Sequence, residues 1–164
     1  MLRILPIFKG KPNNYARIDD VVSRSAQPKE EDFIWLKSQG VTDIINFRTM
    51  IEPAQTFDEK NVVENLGMKY HNIPTITPKP TEEKVAEFLD IVEGVQKQGG
   101  KAHIHCKAGA DRTGMYAFIY KGVKGIGSMI DNEREWLAFG HNNKRFPKLI
   151  NWAKGLKILQ DRLR

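Results

Sequence analysis

A decapeptide at residues 105–114 constrains this chain more than any other feature. It reads His-Cys-Lys-Ala-Gly-Ala-Asp-Arg-Thr-Gly, and Cys106 is the only cysteine among the 164 residues. The five residues between Cys106 and Arg112 are rich in small side chains, so their backbone N–H groups can curl around a tetrahedral anion. A helix after such a loop adds its positive N-terminal end, and the arginine adds a planar fork for two oxygens. The sequence therefore predicts an anion cradle that holds a cysteine.

The same surroundings favour the thiolate form of Cys106, which is the nucleophilic form of a cysteine. The competing interpretation is a buried, inert cysteine that follows a short apolar strand, with Gly109 and Gly114 needed only for a turn. Five features at fixed spacing favour the nucleophile over the inert residue.

Five positions of the decapeptide match the signature of the protein tyrosine phosphatase superfamily, HCxxGxxR followed by Ser or Thr: His105, Cys106, Gly109, Arg112 and Thr113. Residues 23–28 and 44–48 also resemble stretches of the compact dual-specificity phosphatases of bacterial and plant type. The resemblance spans residues 21–152. It implies one α/β domain with a central twisted sheet between helices, and a phosphatase activity on phosphomonoesters.

Each residue of the loop has an expected task in such a reaction, which needs no metal and no cofactor. The Cys106 thiolate attacks phosphorus to form a cysteinyl-phosphate, and Arg112 binds the oxygens where charge accumulates. Thr113 is expected to donate its hydroxyl to the sulfur, and His105 to order the loop through hydrogen bonds. The expected substrate contacts come from the rest of the loop and from the end of a preceding strand: Lys107, Ala108, Gly109, Ala110 and Arg48.

The general acid of this reaction is the main puzzle of the sequence. The family usually carries it as an aspartate on a loop upstream of the cysteine, but the corresponding segment, Pro74–Thr81, contains no Asp or Glu. Asp111 is the first candidate, because lipid phosphatases of the myotubularin type place an acid aspartate at the same step. Glu82 or Glu83 comes next, and Asp58 or no side-chain acid at all are the remaining alternatives. Glu82 and Glu83 would also suit a helix dipole, and Asp111 would also suit a structural role as an acceptor of backbone N–H groups.

The substrate stays open between phosphoproteins, phosphoinositides and inositol phosphates. Lys107 resembles the loop lysine of lipid phosphatases related to tensin, but Ala110 stands where those enzymes have a second lysine. A binding module that kept the cradle and lost catalysis is an alternative of another class. Arsenate reduction is disfavoured because the chain has no second thiol to resolve an oxidised cysteine.

Short apolar runs alternate with amphipathic segments, which predicts a mostly parallel sheet covered on both faces. We expect one domain over residues 1–164, with its core at about 18–163. The predicted strands cover residues 21–25, 42–47, 68–73 and 102–105. The predicted helices cover residues 28–40, 54–66, 82–99, 113–121, 127–139 and 146–163.

The chain carries a formal net charge of +6, which favours anionic partners. A C-terminal cluster of basic residues lies on a helical period with apolar ones, so we expect a solvated helix face rather than a nucleic-acid site. No apolar run is long enough to span a membrane. We expect a cytoplasmic protein, with an export segment removed before residue 1 as the alternative. The oligomeric state is left open.

Overall fold

A five-stranded, mostly parallel sheet lies at the centre of this computed structural model, which describes residues 10–50 and 56–161. Its strands are β1 (Ala16–Arg17), β2 (Val22–Ser25), β3 (Asp43–Asn46), β4 (Lys69–Asn72) and β5 (Ala102–His105). They lie in the order β1-β2-β5-β3-β4, and only β1 runs antiparallel to its neighbour. The predicted α/β fold is confirmed. The two-residue β1 was not predicted, because it is too short to show an alternating pattern.

Seven helices surround the sheet within the described residues. They are α1 (Glu30–Ser38), α2 (Glu59–Asn65), α3 (Glu82–Lys97), α4 (Asp111–Lys124), α5 (Met129–Ala138), α6 (Leu149–Lys154) and α7 (Lys157–Gln160).

Three of the predicted helices have clearly different bounds in the structure. The helix predicted over 113–121 runs from Asp111 to Lys124, so it begins inside the decapeptide. The helix predicted from residue 54 begins only at Glu59, because Asp58 caps it by accepting the Asn61 N–H at 3.2 Å; residues 54 and 55 lie outside the described residues. The helix predicted over 146–163 starts at Leu149 and is broken after Lys154. There Leu156 adopts an extended backbone before the short last helix. The final predicted residues of that helix, 162 and 163, also lie outside the described residues.

Successive residues of β3 point to opposite faces of the sheet and belong to two separate cores. Ile44 packs with Phe33 of α1 and Val63 of α2. Ile45 packs in the larger core with side chains of α3 to α7. Period-two alternation in a short apolar strand thus buries both faces, as a parallel sheet between helices requires.

The carboxyl ends of β3 and β5 meet at one edge of the sheet. Asn46 pairs in register with His105, and the chain continues into Phe47 on one side and Cys106 on the other. In parallel sheets this edge is where ligands bind, because the loops and helix N-termini converge there. The fold therefore delivers the decapeptide to the expected place.

Candidate active site

The loop between β5 and α4 curls around the sulfur of its own cysteine. The Gly109 N–H donates a hydrogen bond to Cys106 Sγ at 3.3 Å. Gly109 adopts φ +72°, a left-handed conformation that glycine reaches without strain. A Cβ at this position would lie 2.5 Å from the backbone nitrogen of Ala26, so the loop also needs glycine for close packing against the chain after β2.

A buried arginine supports the loop from below. Arg24 of β2 is 1% exposed and donates from Nη2 to the Gly109 carbonyl at 2.9 Å. Its guanidinium lies 4.0 Å from the centre of the Phe139 ring, a cation–π distance, and 4.0 Å from Glu135. Burial lowers the pKa of Arg24 to about 10, so the side chain remains cationic at neutral pH. Arg24 therefore lies beneath the loop and not in the lining of the cleft.

His105 connects the loop to helix α2. Its Nε2 lies 2.8 Å from Glu59 Oε2 and its Nδ1 lies 3.2 Å from the Cys106 carbonyl oxygen. Gln27 Nε2 donates to the other Glu59 oxygen at 2.7 Å. The histidine ring is fully buried and Glu59 nearly so. The residue that precedes the cysteine is therefore held at both ring nitrogens.

A cleft of about 570 Å³ opens above this loop. Its floor contains Cys106 and Arg112, and both Lys107 and Ala108 are exposed at its side. The segment from Thr75 to Pro78 forms one wall, and Arg145 and Phe146 contribute to the lining. The cleft is therefore large enough for a phosphoester and presents the sulfur and the arginine together.

Not every predicted contact is formed. Thr113 Oγ1 is buried and has no hydrogen-bond partner among the described residues, so the predicted bond from Thr113 to Cys106 Sγ is absent. The sulfur accepts the Gly109 N–H instead. Arg48 follows β3 as expected, but its Nη1 donates to Gln27 Oε1 at 3.1 Å and it does not line the cleft. Gly109 and Ala110 are buried within the loop.

The candidate acids are separated clearly by their positions. Asp111 is the one carboxylate in the described lining of the cleft. Glu82 and Glu83 are exposed in the first turn of α3, where they complement the helix dipole. Asp58 is exposed and serves as the N-cap of α2. The Pro74–Thr81 segment does border the cleft, but it contributes no carboxylate.

Two residues of the site, Glu59 and His141, were not predicted from the sequence. Glu59 carries only the signal of an acid in the first turn of a helix, which usually means a dipole contact with solvent. His141 lies after α5, and its Nδ1 is 2.7 Å from Asp111 Oδ1. His141 and Asp111 are 30 residues apart in the sequence. No helical or strand periodicity links two side chains at that separation, so the pair could not be predicted.

The decapeptide and its supports lie in a segment with a recognised family pattern. Residues 10–145 match a family model described as "DSP-PTPase phosphatase fused to NAD+ Kinase". The chain belongs to this DSP-PTPase family. The match covers the sheet, helices α1 to α5 and the whole loop that carries Cys106, and the predicted superfamily membership is confirmed.

Curated relatives of this DSP-PTPase chain include two phosphatases. An inositol diphosphatase, DSP2, from rice is 32% identical over 110 residues, which are 63% of this chain and 50% of that protein. The dual-specificity phosphatase CDC14B from mouse is 32% identical over 112 residues, which are 66% of this chain and 20% of that protein. The chain thus spans half or less of the length of these relatives.

Solved structures share the fold. A putative phosphatase of Shewanella putrefaciens superposes with a TM-score of 0.76 at 22% identity, covering 92% of both chains. TpbA of P. aeruginosa, solved as a variant in complex with pTyr, gives a TM-score of 0.74 at 20% identity; the match covers 92% of this chain and 88% of that one. Within residues 10–50 and 56–161, no helix is both long and apolar enough to cross a membrane.

Proposed function

We propose that this DSP-PTPase chain hydrolyses phosphomonoesters through a cysteinyl-phosphate intermediate. The observation that carries the proposal is the convergence of Cys106, Asp111 and Arg112 on one cleft, with the Gly109 N–H directed at the sulfur. A thiolate in an anion cradle at the N-terminus of α4 is suited to attack a phosphate that the cradle binds.

The reaction has two balanced steps. In the first, the Cys106 thiolate forms a bond to phosphorus while the bond from phosphorus to the leaving oxygen breaks, and protonated Asp111 gives that oxygen its proton. In the second, the Asp111 carboxylate takes a proton from water, the water oxygen attacks phosphorus and the sulfur–phosphorus bond breaks. Arg112 stabilises the charge on the phosphoryl oxygens in both transition states.

Substitution of the nucleophile tests the reaction class. Cys106→Ser keeps the size of the side chain but replaces a thiolate by a neutral hydroxyl. We expect turnover of nitrophenyl phosphate to be lost, while inorganic phosphate still raises the melting temperature of the variant because the cradle is intact. Turnover at the wild-type rate in Cys106→Ser would disprove the cysteine mechanism.

The acid is tested by the dependence on the leaving group. Asp111→Asn cannot donate a proton, so it should slow an alkyl phosphate by about a hundredfold or more and an aryl phosphate with a good leaving group far less. Asp90→Asn, at an exposed position of α3, is the matched control and should affect neither substrate. Equal losses on both substrates in Asp111→Asn would assign Asp111 a structural role.

For the substrate we propose a phosphotyrosine or other dual-specificity phosphoprotein ester, with phosphoinositides and inositol phosphates as the alternative. TpbA in complex with pTyr supports the first class, and the rice inositol diphosphatase supports the second. A panel that contains phosphotyrosine peptides, phosphoinositides and inositol polyphosphates, ranked by kcat/KM, separates these substrate classes.

We also propose a cytoplasmic location, because a reducing compartment keeps a nucleophilic thiol reduced.

A binding module without catalysis is the second candidate. The absence of any carboxylate from the Pro74–Thr81 segment favours it, since the usual acid loop is then incomplete. Turnover of the wild-type protein on the substrate panel distinguishes the two candidates. A phosphate-binding module would bind inorganic phosphate but hydrolyse no member of the panel.

A further inference from the structure

His141 is a buried histidine that contacts the candidate acid from outside the loop. It follows the C-terminus of α5, where its backbone N–H donates to the Trp136 carbonyl. Its side chain is fully buried, and its Nδ1 lies 2.7 Å from Asp111 Oδ1. The next residue, Asn142, donates its backbone N–H to the same oxygen at 2.8 Å. Two groups from one turn thus converge on a single carboxylate oxygen.

The other nitrogen of the His141 ring defines the direction of this hydrogen bond. Nε2 is buried and has no hydrogen-bond partner among the described residues. The ring packs against Trp136, with 4.9 Å between ring centres. A proton on Nε2 would be a buried donor without an acceptor, which is costly, whereas a proton on Nδ1 faces a carboxylate. The favoured neutral form of the ring therefore donates from Nδ1 to Asp111.

We propose that His141 is a positioning residue that assigns different tasks to the two oxygens of Asp111. This inference rests on the proposed role of Asp111 as the general acid. The His141 side chain and the Asn142 backbone both donate to Oδ1, so Oδ1 is an acceptor throughout the reaction. The catalytic proton is then carried by Oδ2, which receives no hydrogen bond from any described residue.

The same geometry serves both half-reactions. In the first step the proton leaves Oδ2 for the oxygen of the leaving group, and the negative charge that develops on Asp111 is stabilised by the two donors on Oδ1. In the second step Oδ2 takes a proton from the attacking water. The proton on Nδ1 of His141 stays in place in both steps, so the histidine touches neither the substrate nor the reacting atoms.

The contacts with residues 141 and 142 fix the orientation of the Asp111 side chain. Asp111 is the first residue of α4, and its side chain is 25% exposed toward the cleft. Without the turn at 141–142 it would be free to rotate toward solvent. A general acid must lie within hydrogen-bonding distance of the oxygen that it protonates, so loss of this fixed orientation weakens catalysis of the step that needs the acid.

Two substitutions at His141 test the proposal in the full chain. His141→Leu fills the site but donates no hydrogen bond. His141→Asn places an amide N–H near the position of Nδ1 and can donate to the same oxygen. Values of kcat/KM are measured with an alkyl phosphate and with nitrophenyl phosphate, since only the poor leaving group depends strongly on the acid.

His141→Leu should lower kcat/KM for the alkyl phosphate about tenfold or more, and for nitrophenyl phosphate less than about threefold. His141→Asn should retain most of the wild-type kcat/KM for both substrates, because its amide can still donate to Asp111 Oδ1. In the Asp111→Asn background, His141→Leu should cause little further loss, because both act on the same step. Thermal unfolding of each variant identifies any that fail to fold, and His141→Asn then carries the test.

Equal losses of both substrates in His141→Leu, or no rescue by His141→Asn in a folded variant, would overturn the positioning role. The Asp111→Asn control separates this failure from that of the proposed function. If Asp111→Asn depends on the leaving group and His141→Leu does not, only the present inference fails. If neither does, Asp111 is not the acid.

Discussion

Glu59 and His105 form a buried pair that joins helix α2 to the loop of the nucleophile, with 2.8 Å between Glu59 Oε2 and His105 Nε2. The two residues are 46 positions apart in the chain. Gln27 donates to the second oxygen of Glu59, so both oxygens of the buried carboxylate are occupied. The contact makes the first turn of α2 a support of the active-site loop.

The first prediction is that Glu59→Gln destabilises the protein and reduces turnover. Glu59 accepts from two donors, but a glutamine offers only one acceptor oxygen, so the native arrangement is lost. Either one donor no longer reaches an acceptor, or the His105 ring changes its tautomer so that Nε2 accepts from the new amide and Nδ1 donates to the Cys106 carbonyl. A buried donor left unpaired costs about 1–3 kcal/mol in the free energy of unfolding. Chemical denaturation measures that loss. We expect kcat to fall as well, because His105 contacts the Cys106 carbonyl.

Lys60→Ala is the matched control for Glu59→Gln, since Lys60 is the next residue of α2 and is exposed. It should change the free energy of unfolding by less than about 0.5 kcal/mol. A Glu59→Gln protein with the stability and kcat of the wild type would show that the pair is not required.

A second prediction concerns Gly109 and its positive φ. In Gly109→Ala the new Cβ would lie 2.5–2.7 Å from backbone atoms of Ser25 and Ala26, and φ +72° is itself strained for alanine. Relieving the clash must move the loop and with it the N–H that binds Cys106 Sγ. We expect kcat/KM to fall at least about tenfold and the melting temperature to drop.

Gly94→Ala is the opposite case and serves as the control. Gly94 lies within α3, and a Cβ there meets no atom within 4 Å. The variant should be more stable by about 0.5–1 kcal/mol, because alanine loses less conformational freedom in a helix. If Gly109→Ala keeps full activity, the loop does not need its left-handed residue.

The chemistry of the site could be predicted from the sequence where it is local. Residues 102–114 contain strand, nucleophile, cradle and arginine in one continuous segment, and the predicted strand at 102–105 matches β5 in both bounds. Helix α3 was also predictable, because its apolar residues recur on one face and Thr81 caps its start. In these segments, sequence neighbours are also spatial neighbours.

The supports of the loop could not be predicted, because they come from distant elements. Arg24, Glu59 and His141 reach the loop from β2, α2 and the turn after α5. Each has an ordinary surface role when its own segment is considered alone. Only the order of strands in the sheet and the packing of the helices bring them together, and neither is encoded in a local period.

A third prediction uses the hydrogen bond between Thr75 and Tyr116, which anchors a wall of the cleft. The Thr75 hydroxyl donates to the Ile73 carbonyl at 2.9 Å, so in the 2.8 Å contact between the two hydroxyls Tyr116 is the donor. Burial raises the pKa of Tyr116 to about 12, so it keeps this proton at neutral pH.

Removal of either hydroxyl should therefore have unequal effects. Tyr116→Phe removes the donor and leaves Thr75 bound to Ile73, at a cost of about 0.5–1.5 kcal/mol. Thr75→Val leaves the buried Tyr116 hydroxyl without an acceptor, at a cost of about 1–3 kcal/mol. In the double variant the loss should be smaller than the sum of the two. Equal losses for the two single variants in urea denaturation would contradict the assigned direction, and additive losses in the double variant would show that the two hydroxyls are not coupled.

The last prediction is a pH dependence of stability that originates at His103. This ring is fully buried between Ser23 and Ser25, each at 2.7 Å from one of its nitrogens. Ser25 donates its own proton to the Ala26 carbonyl, so His103 Nε2 donates to Ser25 and Nδ1 accepts from Ser23. Both nitrogens are satisfied in the neutral ring. Burial first, and the neighbouring His105 second, lower the pKa of His103 well below its usual 6.5.

The unfolded chain thus binds a proton at His103 below about pH 6.5 while the folded protein does not. Stability rises with pH wherever the unfolded state binds more protons, so it falls as the pH drops below that value. The slope due to this one group is at most about 1.4 kcal/mol per pH unit. A glutamine in His103→Gln can also donate and accept, but it does not titrate. Between about pH 7.5 and about pH 5, the free energy of unfolding of this variant should therefore fall less steeply than that of the wild type. Equal slopes in the two proteins would show that His103 is protonated in the folded state as readily as in the unfolded one.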